Sequence, residues 1–87
     1  MQITPPTWQM KIPCPYCGQG APIFVSCATC GYLTAHCDEV GETFKSPRRL
    51  EQGFVENCPV CDAATVDFEL ASSQQILAAG FDRGEYE

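Results

Sequence analysis

Apolar positions in this chain come in short bursts, each running into a cysteine pair or a turn within a few residues. Met10-Lys11-Ile12 predicts a brief strand, and residues 22–26 (PIFVS) predict a second. Residues 32–37 (YLTAHC) continue with partly alternating polarity, the period-two pattern of a strand. Residues 38–42 then turn the chain, and Thr43-Phe44 is a brief apolar return. Ser46 as N-cap, Pro47 at the first helical position and Gly53 as terminator predict one helical turn. Residues 54–57 (FVEN) lead into the last cysteine pair, and residues 65–70 (TVDFEL) alternate apolar with polar, predicting a strand with one buried face.

Ser72 and Gln75 form a capping-box pattern ahead of Ile76-Leu77-Ala78-Ala79, with Gly80 as the C-terminal stop. Two helical turns are unstable alone in water, so this helix must dock on something. Ile76, Leu77 and Phe81 are expected to pack on their own domain, with a partner protein as the other acceptor. Residues 1–10, with Pro5-Pro6, read as an extended arm that Trp8 anchors, residues 11–81 as one domain, and residues 82–87 as a polar, acidic, mobile tail.

A chain of 87 residues buries only a thin core, and such domains lean on metal or disulfides. Seven cysteines are available for that, six of them in three Cys-x-x-Cys pairs: Cys14/Cys17, Cys27/Cys30 and Cys58/Cys61. The odd total, the paired spacing and the lack of a signal-peptide pattern disfavour a secreted disulfide scaffold and point to a reduced, cytoplasmic protein. No run approaches the ~20 apolar residues that a membrane span needs. Eleven acidic residues against five basic ones give a formal charge of −6, and thiolate-bound metal adds to it. Nucleic-acid binding draws its affinity from phosphate neutralisation, and the one basic cluster, Lys45, Arg48 and Arg49, is flanked by Glu42 and Glu51.

Cys14-Pro15-Tyr16-Cys17 resembles the redox motif of glutaredoxins, but the flanks refuse that role. Gly18, Gly20 and Pro22 follow, so no helix can start there to lower the thiol pKa. A glycine directly after the second cysteine suits a metal knuckle instead. Two-residue spacers let each pair chelate one ion, and four thiolates make a tetrahedral site without an open position for substrate. With a single histidine and no nucleophile–base pattern, no enzyme is expected. The six paired cysteines plus Cys37 and His36 make eight ligands, the number for two closed sites. One pairing joins Cys27/Cys30 to Cys58/Cys61, and Cys14/Cys17 to Cys37, His36 or both. The rival joins Cys14/Cys17 to Cys27/Cys30. Adjacent strand residues face opposite ways, so His36 and Cys37 share an ion only if the backbone kinks.

Residues 27–70 resemble a rubredoxin-like zinc ribbon. Cys27-Ala28-Thr29-Cys30-Gly31-Tyr32 is similar to the first rubredoxin knuckle, Gly41-Glu42-Thr43-Phe44 to the loop carrying a core aromatic, and Cys58-Pro59-Val60-Cys61 with Phe68-Glu69 to the second knuckle and closing strand. Asp62 stands where the family has glycine, the aromatic before the second knuckle is missing, and Cys14/Cys17 is additional. The expected fold is therefore small, metal-stabilised and mainly β, a rubredoxin-like ribbon of short β-hairpins with a short C-terminal helix. The ligand count gives one or two zinc ions, two preferred, and the resemblance offers iron as the alternative. The function expected is a structural-zinc module for interaction with another protein. The alternatives are an iron electron carrier and, disfavoured by charge, a nucleic-acid-binding ribbon.

Overall fold

The computed structural model describes residues 7–18 and 20–87; residues 1–6 of the expected arm lie outside the described residues. The backbone forms β1 (Ile23–Ser26), β2 (Leu33–Cys37), β3 (Glu42–Phe44), β4 (Phe54–Val55), β5 (Glu69–Leu70) and one helix, α1 (Ser73–Ala78). The strands pair antiparallel in the order β4-β3-β2-β1-β5, so the β1–β2 hairpin is the middle of the sheet and β5 closes one edge.

Register decides which side chains share a face. Phe24 opposes Ala35, Ser26 opposes Leu33, and Phe44 opposes Phe54. Leu33, Ala35 and Cys37 alternate along β2, so all three fall on this same face. It is the core face: Phe24, Ala35 and Phe44 are fully buried together with Met10, Leu50, Ile76, Phe81 and Tyr86. The helix docks here because its ends are well specified. Ser72 Oγ accepts from the Gln75 N–H at 3.1 Å, and Gln75 Oε1 accepts from the Ser72 N–H at 2.8 Å, which closes the capping box. At the other end Gly80 takes φ +97°, and the N–H groups of Gly80 and Phe81 donate to Leu77 and Ile76 carbonyls. That closure is a Schellman motif, and it brings Phe81 back over Ile76, both buried. Leu77 stays exposed.

Four expectations are corrected. Residues 65–70 form a 3₁₀ turn at Thr65–Asp67 before the two-residue β5, and Val66 is 86% exposed. Their alternation reflects local turns, with Thr65 N–H and Oγ both donating to the Glu56 carbonyl, and not a buried strand face. The helical turn of residues 46–53 shrinks to a 3₁₀ turn at Leu50–Gln52, still ended by Gly53, while Ser46 Oγ accepts only from the Arg48 N–H. The Met10 strand reduces to isolated bridges of Gln9 with Ile23 and Met10 with Tyr86.

The acidic tail is docked, not mobile. Gln9 and Glu87 exchange both backbone hydrogen bonds, at 2.7 and 2.9 Å, and Tyr86 is 1% exposed. Tyr86 packs edge-on against Trp8 and Phe24, and its hydroxyl meets Ser73 Oγ at 2.7 Å. Arg48 adds a clasp: its guanidinium lies 3.7 Å from the Phe81 ring centroid and donates to Glu85 Oε1 and the Gly80 carbonyl. Trp8 thus packs on the domain through Tyr86.

Candidate metal centres

Each Cys-x-x-Cys turn is built by one local device. In the Cys27 turn the Gly31 N–H donates to the Cys27 carbonyl at 2.9 Å, and Gly31 takes φ +81°, which costs glycine little. The Cys14 turn closes likewise through Gly18 at 3.0 Å and φ +66°. The Cys58 turn closes through Asp62 at 2.9 Å and φ +66°. Asp62 therefore accepts the left-handed conformation that glycine takes in the other two turns, as aspartate can. Asn57 Nδ2 steadies it by donating to the Asp62 carbonyl at 3.0 Å and to Oδ1 at 3.3 Å.

These turns curl backbone N–H groups toward sulfur. The Cys30 N–H and the Thr29 N–H point at Cys27, and the Val60 N–H reaches Cys58 Sγ at 3.4 Å. Hairpin β1–β2 holds Cys27 and Cys30 at its tip, and the segment after β4 carries Cys58 and Cys61 onto the same spot. The four sulfurs lie within 4.8 Å of one another. Cys27 and Cys61 are 3.5 Å apart, and Cys30 and Cys58 3.6 Å. Sulfurs bound tetrahedrally at 2.3 Å from one zinc stand ~3.8 Å from each other, whereas a disulfide needs ~2.05 Å. The spacing is that of ligands around an ion, and all seven cysteines are thiols.

A second cluster sits at the other end of β2 from the first. Cys14, Cys17 and Cys37 also place their sulfurs within 4.8 Å of one another. Cys14 and Cys37 are 3.3 Å apart, Cys37 and Cys17 3.5 Å, and Cys14 and Cys37 are both buried in the core. His36 is not brought to this cluster. It faces the other side of β2, with Nδ1 3.3 Å from Thr43 Oγ1 on β3. Of the two groupings the sequence allowed, the structure forms Cys27/Cys30 with Cys58/Cys61 and Cys14/Cys17 with Cys37.

Without a cation the thiols compete for charge. Hydrogen bonds, chiefly from the Cys30 N–H, lower Cys27 from the usual 9.0 to about 6 despite desolvation. The Tyr32 N–H favours the Cys30 thiolate, but desolvation and the sulfurs of Cys58, Cys61 and Cys27 outweigh it and push Cys30 up to about 12. Cys61 is raised as well, the Ala63 N–H being outweighed by desolvation and by Cys27. In the second cluster burial pushes Cys37 up to about 11, against the Val40 N–H that favours its thiolate. A divalent ion removes this conflict by stabilising all the thiolates at once.

The chain matches no protein-family model, no curated protein and no solved structure. Fold and site define its class: a small, mainly antiparallel β protein with cysteine clusters suited to hold metal. Among the described residues no helix is long and apolar enough to cross a membrane.

Proposed function

We propose that this chain is a small zinc protein of rubredoxin-like ribbon architecture, in which the metal is structural and the surface serves a protein partner. The four-sulfur cluster of Cys27, Cys30, Cys58 and Cys61 carries the proposal. A closed set of four thiolates leaves no position for a substrate, and zinc asks only for tetrahedral geometry there. The ion would join the β1–β2 tip to the Cys58 turn, a junction otherwise supported by few buried apolar side chains.

Charge supports a protein partner over a nucleic acid. Of the five basic residues, Arg48 is spent on Phe81 and Glu85, and Arg83 on the Trp8 and Tyr86 rings. Ile76 and Phe81 are taken by the chain's own core, so the helix offers a partner only Leu77. Apolar exposure is greater at Val60 and Val66, 65% and 86%, and continues to Leu70 at the sheet edge. That stretch is the surface we assign to a partner, in a role without catalysis.

Native mass spectrometry and metal analysis of protein purified from cells test the metal. Colourless protein carrying zinc is expected. Red protein, with thiolate-to-iron bands that bleach on reduction, would make it an electron carrier instead. A Val66→Asp variant that keeps its metal is expected to lose partners that co-purify with the native chain.

A further inference from the structure

The turn after β2 repeats the construction of the three cysteine knuckles without being one in sequence. Gly41 N–H donates to the Cys37 carbonyl at 2.7 Å, and Gly41 has φ +82°. These match the closures of Gly18 on Cys14, Gly31 on Cys27 and Asp62 on Cys58, at 3.0, 2.9 and 2.9 Å. The next residue pairs back on the first cysteine in the same way: Glu42 opposes Cys37, as Tyr32 and Ala63 accept from the N–H groups of Cys27 and Cys58. The Val40 N–H points at Cys37 sulfur, as the Cys30 N–H points at Cys27. Cys37-Asp38-Glu39-Val40-Gly41 is therefore a knuckle whose second ligand position holds Val40.

This explains why the second cluster has three sulfurs and the first has four. No other histidine, cysteine or carboxylate joins Cys14, Cys17 and Cys37 among the described residues, and residues 1–6 and Gln19 carry none of these side chains. A cavity of about 220 Å³ abuts the cluster, and its lining includes Cys17, Cys37, Asp38 and Glu39. Three thiolates and a divalent ion carry a formal −1, and Asp38 and Glu39 add negative charge at the cavity, so an anionic fourth ligand is disfavoured there. A neutral donor, water or an imidazole, is what the surroundings accept.

We propose that Cys14, Cys17 and Cys37 hold a metal ion whose fourth position opens to this cavity and takes a neutral exogenous donor, because Val40 stands where a closed site has its fourth cysteine. The proposal rests on the metal reading above and adds a site able to exchange a ligand. Three protein ligands plus one exchangeable position is the arrangement of reactive metal sites, in contrast to the closed structural set at the other end of β2.

Cobalt(II) substitution of the full chain tests this, with imidazole as the added ligand. Native protein is expected to bind two cobalt ions, and imidazole is expected to shift part of the d–d absorption, since only the second site can respond. Val40→Cys, at a position 44% exposed, is expected to bind two ions and lose the imidazole shift, while Val40→Ala keeps it. Two bound ions with no imidazole response in the native protein would show the site closed and overturn the proposal. One bound ion in the native protein would also overturn it, because three thiols would not suffice, yet would leave the four-cysteine site standing. No bound ion would overturn the metal reading itself.

Discussion

Cys27 Sγ and Cys61 Sγ lie 3.5 Å apart, although 34 positions separate them along the chain. Two short hairpin-like turns meet there with little apolar surface between them, since Cys30 and Cys61 are exposed and the 3₁₀ turn that follows buries nothing. On the metal reading, sulfur–metal bonds supply what packing does not. Structural zinc contributes on the order of 10 kcal/mol, comparable with the 5–15 kcal/mol total stability of ordinary domains. Cys58→Ser is expected to abolish cooperative thermal unfolding and to leave a chain that binds the first ion only weakly. Circular dichroism with metal analysis checks this, and a sharp transition near the native midpoint would speak against it. His36→Ala is expected to change neither metal content nor folding.

The docked C-terminus gives a second prediction. Tyr86 fills the space between Trp8 and Phe24, so Tyr86→Ala is expected to lower the melting temperature of the metal-loaded protein by on the order of 10 °C or more. Tyr86→Phe, which loses the hydroxyl's hydrogen bonds with Ser73 and Arg83, is expected to cost a few °C. Equal melting of all three proteins would mean that the tail does not support the core.

This part of the fold was hidden in the sequence for a physical reason. Arg83, Glu85 and Glu87 make residues 82–87 look like a solvated tail, and one tyrosine among them carries no periodic signal. Its burial depends on Trp8 and Phe24, which only tertiary structure brings near. The cysteine turns were legible because their chemistry is local: the two-residue spacing, with a following glycine in two of the three, fixes each turn. The Ser72–Gln75 cap and the Gly80 stop were legible on the same local grounds. Residues 65–70 misled because alternation over six positions cannot distinguish a strand from consecutive turns. Val40 passed unnoticed because a knuckle that lacks a cysteine has no cysteine to count.

Asp62 is the single described non-glycine residue with positive φ, at +66°. Asp62→Gly relieves the backbone cost of that conformation, ~1 kcal/mol, and forfeits only an exposed hydrogen bond from Asn57 to the carboxylate. The variant is expected to be equally or slightly more stable in urea. Asp62→Val, which cannot adopt this backbone without strain, is expected to be clearly less stable. A loss of stability with glycine would mean that the carboxylate itself supports the turn.

Stability should rise with pH. Metal-bound thiolates carry no protons, while the same thiols in the unfolded chain titrate near 9.0. Unfolding therefore takes up protons below that value, and acid favours it. Cys27 alone, lowered to about 6 in the fold, contributes stability that is full above 9.0 and lost as pH falls through about 6. Cys30, raised to about 12 in the metal-free cluster, has the opposite sign, present below 9.0 and lost as pH rises toward 12. In metal-loaded protein that opposition disappears, because the ion holds both ionised. The melting temperature is expected to fall steadily from about pH 8 to about pH 5, with metal release at the acid end. A flat profile would contradict metal–thiolate linkage.

The most direct test is the amide spectrum before and after complete removal of metal by a chelator under reducing conditions. Loss of dispersion throughout residues 23–70, restored by adding zinc, is the result expected if metal at the four-cysteine site holds the sheet together. Retained dispersion in protein shown to be metal-free would contradict it, and would mean that the core of Phe24, Phe44, Ile76 and Tyr86 suffices alone.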